Sequence, residues 1–121
     1  MNQSVGGISI HVVDVSRGVV ASGMRVEVFA ANGNRHRLVD GRVGAKGLLE
    51  DPVLMSALMQ PGYFEAVFHV ADYYRDAGVA LPERPFLDVV TYRFAVGDAR
   101  QHYHLPMKVT PWGYSCFRGG A

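Results

Sequence analysis

Two histidines near the end of the chain, His102 and His104, are separated by one residue in a segment that is otherwise typical of a β-strand. Side chains at i and i+2 of a strand project to the same side, so the sequence predicts that both imidazoles share one face. A third histidine, His11, lies in an alternating segment near the N-terminus, and Arg42 follows an Asp-Gly pair. A neutral imidazole can take a proton from water, and a guanidinium can stabilise a developing oxyanion. This set would support hydrolysis of a small anionic substrate that contains a carbonyl group.

Other interpretations of these residue types are open at this point. A strand histidine is commonly a surface residue or a hydrogen-bonded, partly buried one, and we expect this of His36 and His69. A His-x-His pair with a third histidine could also ligate zinc, although no carboxylate or cysteine stands at a matching spacing. The single cysteine, Cys116, excludes an intrachain disulfide, and a lone cysteine is more often a small buried hydrophobe than a nucleophile.

Length and composition indicate one globular domain, residues 1–121, with a mobile arm over residues 1–6. The 121 residues are 49% hydrophobic and carry a formal net charge of +1. No run of lysine and arginine provides a footprint for nucleic acid, and no stretch reaches the roughly 20 apolar residues of a membrane span. The first ten residues also lack the basic and apolar regions of a secretory signal. We therefore expect a soluble, cytoplasmic protein without nucleic-acid or membrane partners.

The elements that must position these side chains are mainly short strands. Alternating apolar residues predict strands over residues 8–14, 24–30, 36–39, 63–70 and 86–96. Apolar residues at i, i+3, i+4 and i+7 predict one short helix that starts at Val70, with Gly78 as the residue that ends it. Many short strands with a single helix are typical of an all-β fold, a two-sheet β-sandwich.

Two local features bear on where the candidate side chains point. The Asp40-Gly41 pair predicts a tight turn that delivers Arg42 into a cleft. Pro106 cannot donate a hydrogen bond to a neighbouring strand, so it predicts that the last strand pair has an edge or a bulge at that point. A bulge beside two histidines would give weak support for a site.

Four motifs occur in order along the chain and cover nearly all of it, from about Ile8 to Gly120. They are His11-Val12-Val13-Asp14, Asp40-Gly41-Arg42, Gln101-His102-Tyr103-His104-Leu105-Pro106, and Pro111-Trp112-Gly113-Tyr114-Ser115 followed by Phe117-Arg118-Gly119. Together they resemble the 5-hydroxyisourate hydrolase family, the transthyretin-related enzymes of urate breakdown. The terminal motif is the most specific of the four.

This resemblance implies a transthyretin-like two-sheet β-sandwich with one short helix, assembled as a homotetramer with active sites in clefts between dimers. It implies ring opening of a heterocyclic substrate, 5-hydroxyisourate, without a required metal or cofactor. Carried over by position, His11 and His104 would orient and deprotonate water, and Arg42 would hold the substrate and the developing oxyanion. The residues expected to contact substrate are His102, Cys116, Phe117 and Arg118.

The chain departs from the family pattern close to the implied site. Phe117 and Gly120 stand where the family has tyrosine and serine, Cys116 stands where threonine is usual, and Lys108 places a charge in an apolar run. Loss of the tyrosine hydroxyl removes one hydrogen-bond donor, which typically costs about 1–3 kcal/mol when its partner stays buried.

These departures leave three interpretations of the function. The leading one is a 5-hydroxyisourate hydrolase with a tolerant C-terminus. A second is a divergent enzyme that opens, closes or rearranges another heterocycle in a biosynthetic pathway. A third is a carrier that binds a small ligand without chemistry, and the presence of the whole His/Arg set argues against it.

Overall fold

A computed structural model describes residues 6–54 and 60–120 and shows two β-sheets with one short helix. In chain order the elements are β1 (Ile8–Asp14), β2 (Val19–Val20), β3 (Arg25–Ala30), β4 (His36–Arg42), β5 (Leu48–Leu49), β6 (Gly62–His69), α1 (Val70–Asp76), β7 (Val89–Val96), β8 (Tyr103–Thr110) and β9 (Gly113–Cys116). The first sheet has the order β2-β1-β8-β9, with β5 also paired to β1, and the second has the order β4-β3-β6-β7. The predicted two-sheet sandwich with one short helix is confirmed.

Alternation along β1 and β8 separates a core face from an outer face. Ile8, Ile10 and Val12 of β1 are buried between the sheets, as are alternate residues of β8 such as Leu105 and Met107. β1 and β8 run parallel, unlike the other paired strands described. The residues between the core positions therefore share the outer face of the first sheet, and this face contains the histidines of interest.

The helix is held against the first sheet by a buried carboxylate. Asp14 at the end of β1 is fully buried and accepts hydrogen bonds from the hydroxyls of Ser16, Tyr73 and Tyr74 at 2.7, 3.0 and 2.8 Å. Burial raises the pKa of Asp14, but these hydrogen bonds outweigh burial and hold it below its ordinary value. Hydroxyls of α1 thus fix the end of β1.

The helix ends as its sequence predicts. Gly78, with φ of +83°, follows the last turn, and its N–H donates to the carbonyl of Arg75 while that of Val79 donates to Tyr74. This is the pattern of a Schellman motif. Within residues 6–54 and 60–120, no helix is long and apolar enough to span a membrane.

The tight turn predicted at Asp40-Gly41 was wrong. Both residues lie inside β4, where they pair with Glu27 and Val26 of β3, and the strand continues to Arg42. Gly41 lies close to β5, since a Cβ at this position would lie 2.9 Å from a methyl group of Leu49. Cross-strand pairing and packing therefore outweigh the turn propensity of the Asp-Gly pair.

The edge or bulge predicted at Pro106 was also wrong. β8 is an internal strand between β1 and β9, and the pairs Met107–Cys116 and His104–Gly119 keep one register across the proline. Pro106 instead interrupts the ladder, because it has no N–H to offer to the C-terminal segment. β9 ends at Cys116. Beyond it the N–H of Phe117 donates to the carbonyl of Pro106 at 3.4 Å, and Gly119 forms a bridge with His104.

Two further boundaries differ from the predictions. The strand predicted over 86–96 starts at Val89, because the carbonyl of Asp88 accepts the N–H of Ala71 at the start of α1. Most of the predicted N-terminal arm lies outside the described residues. Its last residue, Gly6, is buried, and its carbonyl oxygen lies 2.8 Å from Nδ1 of His102.

Substitution Asp14→Asn should destabilise the protein at neutral pH by about 1–3 kcal/mol, because the hydroxyls of α1 lose a charged acceptor. The effect should depend on pH. Since the pKa of Asp14 is lowered in the folded state, its stabilisation is present above the ordinary value of 3.8 and is lost as the pH falls through the lower folded value.

Urea unfolding of both proteins between pH 2 and 7 measures this difference. The stability gap between native protein and Asp14→Asn should narrow as the solution is acidified. The matched control is Asp72→Asn, whose side chain is 69% exposed and should change stability little. A gap that is independent of pH would contradict the role of an ionised Asp14.

Candidate active site

The parallel pairing of β1 and β8 places Ser9 directly beside His104 on the outer face of the first sheet. Oγ of Ser9 lies 2.7 Å from Nδ1 of His104 and 2.7 Å from Nε2 of His102. The prediction that the two histidines project together is therefore confirmed. Ser9 is only 6% exposed, so water has little access to these hydrogen bonds.

His11 lies on the same face, one pair further along the strands. Its partner in β8 is Pro106, and its ring centroid is 6.4 Å from that of His104, with an angle of 26° between the ring planes. The turn before β5 closes over this ring, because a Cβ at Gly47 would lie 2.9 Å from both Cδ2 and Nε2 of His11. Gly47, with φ of +82°, thus allows the backbone to pass next to the imidazole.

The surroundings of His104 favour its neutral form. Partial burial lowers the pKa of His104, and charge on His11 or His102 would lower it further, while Glu50 acts in the opposite direction. A histidine whose pKa is below its ordinary value is unprotonated at neutral pH. His104 can therefore accept a proton from water.

The C-terminal segment lies along β8 beside the histidines. The N–H of Gly119 donates to the carbonyl of His104 at 2.8 Å, and a Cβ at Gly119 would lie 2.6 Å from Cγ of Pro106. In the same register Phe117 lies across from Pro106 on the outer face, and its side chain is 43% exposed. Its ring is therefore exposed to solvent at the edge of the outer face that carries His11 and His104.

Arg118 fastens this segment to the start of β8. Its guanidinium lies 4.0 Å from the ring centre of Tyr103 and donates to Oε1 of Gln101 at 3.0 Å and to the carbonyl of His102 at 3.3 Å. These contacts orient the tail relative to the histidine pair.

Cys116 lies on the opposite side of its strand from the histidines. It pairs with Met107 and packs against the core. Burial raises the pKa of the Cys116 thiol to about 11, so the thiol is protonated at neutral pH.

Arg42 is exposed and is not in contact with the histidines in the described chain. Its Nη1 donates to the carbonyl of Gly23 at 3.0 Å. Arg42 lines a groove of about 450 Å³ between α1 and the β2–β3 turn, together with Val20 and Tyr73. Val20 also lies beside Gly47, which covers His11. Val20 therefore borders both this groove and the outer face that carries the histidines.

The other histidines have the ordinary roles expected of them. His36 is exposed, and Nε2 of the partly buried His69 lies 2.7 Å from Glu27. Among the described residues, no three His, Cys, Asp or Glu side chains are grouped so as to hold a metal ion. The neighbouring imidazoles of His11 and His104 on the outer face are suited to acid–base chemistry.

Sequence reasoning overlooked two residues of this site, Ser9 and Gly47. Ser9 shares the face of His11 by alternation, which was a visible signal. Its contact with two histidines depends on the parallel pairing of the first and eighth strands, which alternation does not reveal. Gly47 lies in a segment that showed no clear periodicity.

Comparison with solved structures places this architecture in the transthyretin-like class. The chain superposes on (S)-allantoin synthase with a TM-score of 0.85 at 28% identity, covering 95% of this chain and 44% of that longer chain. It superposes on sea bream transthyretin in complex with thyroxine with a TM-score of 0.80 at 18% identity, covering 95% of this chain and 98% of that one.

The chain belongs to the HIUase/Transthyretin family, whose model matches residues 8–119. A 5-hydroxyisourate hydrolase of Ralstonia nicotianae is 42% identical over 116 residues, which are 95% of this chain and 99% of that protein. The relationship to this relative therefore extends over both proteins nearly from end to end.

Substitution Gly47→Ala should displace the imidazole of His11, because the new methyl group would lie within van der Waals distance of two ring atoms. Gly18→Ala is the matched control, since Gly18 also has a positive φ, +69°, but has open space around it. Both variants should lose a similar amount of stability from backbone strain, about 1–2 kcal/mol.

Proton and carbon NMR of the His11 ring distinguishes the two variants. Its resonances should move in Gly47→Ala and stay in place in Gly18→Ala. Equal shifts in both variants, or none in Gly47→Ala, would contradict the close approach.

Proposed function

We propose that this protein is a 5-hydroxyisourate hydrolase, which opens the ring of its substrate by adding water to a carbonyl in urate breakdown. The observation that carries this proposal is the outer face of the first sheet, where the neutral His104 lies 6.4 Å from His11, ring centre to ring centre. Family membership and the name of the Ralstonia nicotianae relative support the choice of substrate.

In this proposal His104 is the general base that removes a proton from the attacking water, and His11 orients that water on the substrate. The carbonyl oxygen gains negative charge as water adds, so a nearby cation lowers the barrier. We assign that part to Arg42. Its exposed side chain would leave the carbonyl of Gly23 and turn past Val20 toward the histidine face.

The surrounding residues would form the walls of the substrate site. The exposed ring of Phe117 can stack against a planar heterocycle. The hydrogen bond from Arg118 to the carbonyl of His102 would hold the C-terminal segment that carries this ring against the start of β8. Cys116 would act only through packing behind the strand, because its thiol is buried and protonated.

We further propose that the cleft is completed by assembly into a homotetramer, in the cytoplasm, with the sites between dimers. The exposed ring of Phe117 on the outer face of the first sheet supports an interface there, since Phe117 is 43% exposed. Light scattering coupled to size exclusion measures the assembly, and a mass of four chains of 13.3 kDa is expected.

A second candidate function is action on a related heterocycle. Phe117 lacks the hydroxyl expected at its position, and exposed Lys108 lies on the histidine face between Val13 and Ser115. A cation there would favour a substrate with an additional negative charge.

Freshly generated 5-hydroxyisourate should lose its absorbance faster with the protein than without it. His104→Ala should lower kcat by about 10²–10⁴-fold, the usual contribution of a positioned base. His36→Ala, which changes an exposed histidine of β4, is the matched control and should retain full activity.

Phe117→Tyr separates the two candidate functions in the same assay. If the native protein is active and Phe117→Tyr changes its rate only slightly, the hydrolase is supported. No activity in the native chain, together with activity in Phe117→Tyr, would favour the second candidate.

The rate should also depend on pH in a defined direction. Protonated His104 cannot act as a base, and its pKa lies below the ordinary value of 6.5. The value of kcat/KM should therefore be level near neutral pH and should fall only when the pH drops through the lowered pKa. A fall with a midpoint at or above 6.5 would contradict this assignment, and a pH series of stopped-flow measurements decides it.

A further inference from the structure

The hydrogen-bond partners of His102 determine which of its nitrogens carries a proton. Nδ1 of His102 lies 2.8 Å from the carbonyl oxygen of Gly6, which can only accept, so Nδ1 is the donor. A neutral imidazole has one donor and one acceptor nitrogen, so Nε2 of His102 is an acceptor. Its partner at 2.7 Å is Oγ of Ser9, and the Ser9 hydroxyl therefore donates to it.

This donation determines the tautomer of the neighbouring histidine. A serine hydroxyl has a single proton, and in Ser9 that proton is directed to His102. Toward Nδ1 of His104, also at 2.7 Å, Ser9 can only accept. Nδ1 of His104 is thus the protonated nitrogen, and the lone pair of the neutral ring is on Nε2.

We propose that Ser9 and His102 are positioning residues that fix the tautomer of His104 and make Nε2 its basic atom. The chain of donors runs from His104 to Ser9, from Ser9 to His102, and from His102 to the carbonyl of Gly6. This inference rests on the proposed function only in assigning the proton of the attacking water to Nε2. While His102 is neutral, the tautomer of His104 follows from these hydrogen-bond distances alone.

The chain also stabilises the ring after it takes up a proton. When Nε2 of His104 takes a proton from water, the hydroxide is left to bond to the substrate carbonyl and the ring becomes an imidazolium. Its Nδ1–H still donates to Ser9, and a hydrogen bond from a charged donor is the stronger kind. Ser9 accepts this bond most favourably while its own proton is directed to His102.

Nitrogen-15 NMR of the imidazoles at a pH where His102 and His104 are both neutral tests the tautomer without any turnover. In the native protein we expect a protonated Nδ1 and an unprotonated Nε2 on His104. The opposite tautomer would overturn the proposal.

Substitution at His102 gives the sharpest comparison. In His102→Ala the Ser9 hydroxyl loses its acceptor and can donate to Nδ1 of His104, so the spectrum should shift toward an Nε2-protonated ring. His102→Gln keeps an amide oxygen that can accept from Ser9 and an amide N–H that can donate to Gly6, so it should retain the native tautomer. Identical spectra for both variants would overturn the role of His102.

Activity toward 5-hydroxyisourate provides the second readout. Ser9→Ala should lower kcat at least tenfold with little change in KM, and Ser9→Thr, which keeps the hydroxyl, should recover most of the loss. Full activity in a folded Ser9→Ala protein would overturn the proposal.

Failure of the proposed function is distinguishable from failure of this inference. The native tautomer in a protein without hydrolase activity would overturn the function and leave the positioning role supported. Activity with the opposite tautomer would overturn the positioning role alone.

Discussion

The parallel register between β1 and β8 is the constraint on which the site depends. It places Ser9 beside His104 and His11 beside Pro106. Because the side-chain period of a strand is two, a slip by one residue would turn these side chains into the core and expose Ile8 and its neighbours. Because the two faces of a strand alternate, burial of the apolar face also places the histidines together on the outer face.

Several contacts outside the site keep this register. Asp14 binds the hydroxyls of α1 at the end of β1, and the hydroxyl of Tyr74 lies 3.3 Å from the carbonyl of Val109 in β8. At the other side, Gly119 pairs with His104 through its backbone. A buried polar cluster and the C-terminal tail thus hold the two strands that carry the imidazoles.

The sandwich, the helix terminated by Gly78 and the shared face of His102 and His104 could be predicted from the sequence. Each of these features depends on local periodicity or spacing. The sequence was insufficient at Asp40-Gly41 and Pro106, where pairing between distant strands outweighed local propensity. The contact of Ser9 with two histidines is of the same kind, since it arises only when strands more than 90 residues apart become neighbours.

The proposed function requires the outer face of the first sheet to bind 5-hydroxyisourate. Titration of the protein with urate, a stable relative of the proposed substrate, can be followed through the imidazole resonances of all five histidines. We expect the signals of His11 and His104 to move until the protein is saturated with urate, while those of His36 and His69 stay in place. Shifts confined to His36 or His69, or no shift of His11 and His104 when urate is bound, would contradict that requirement.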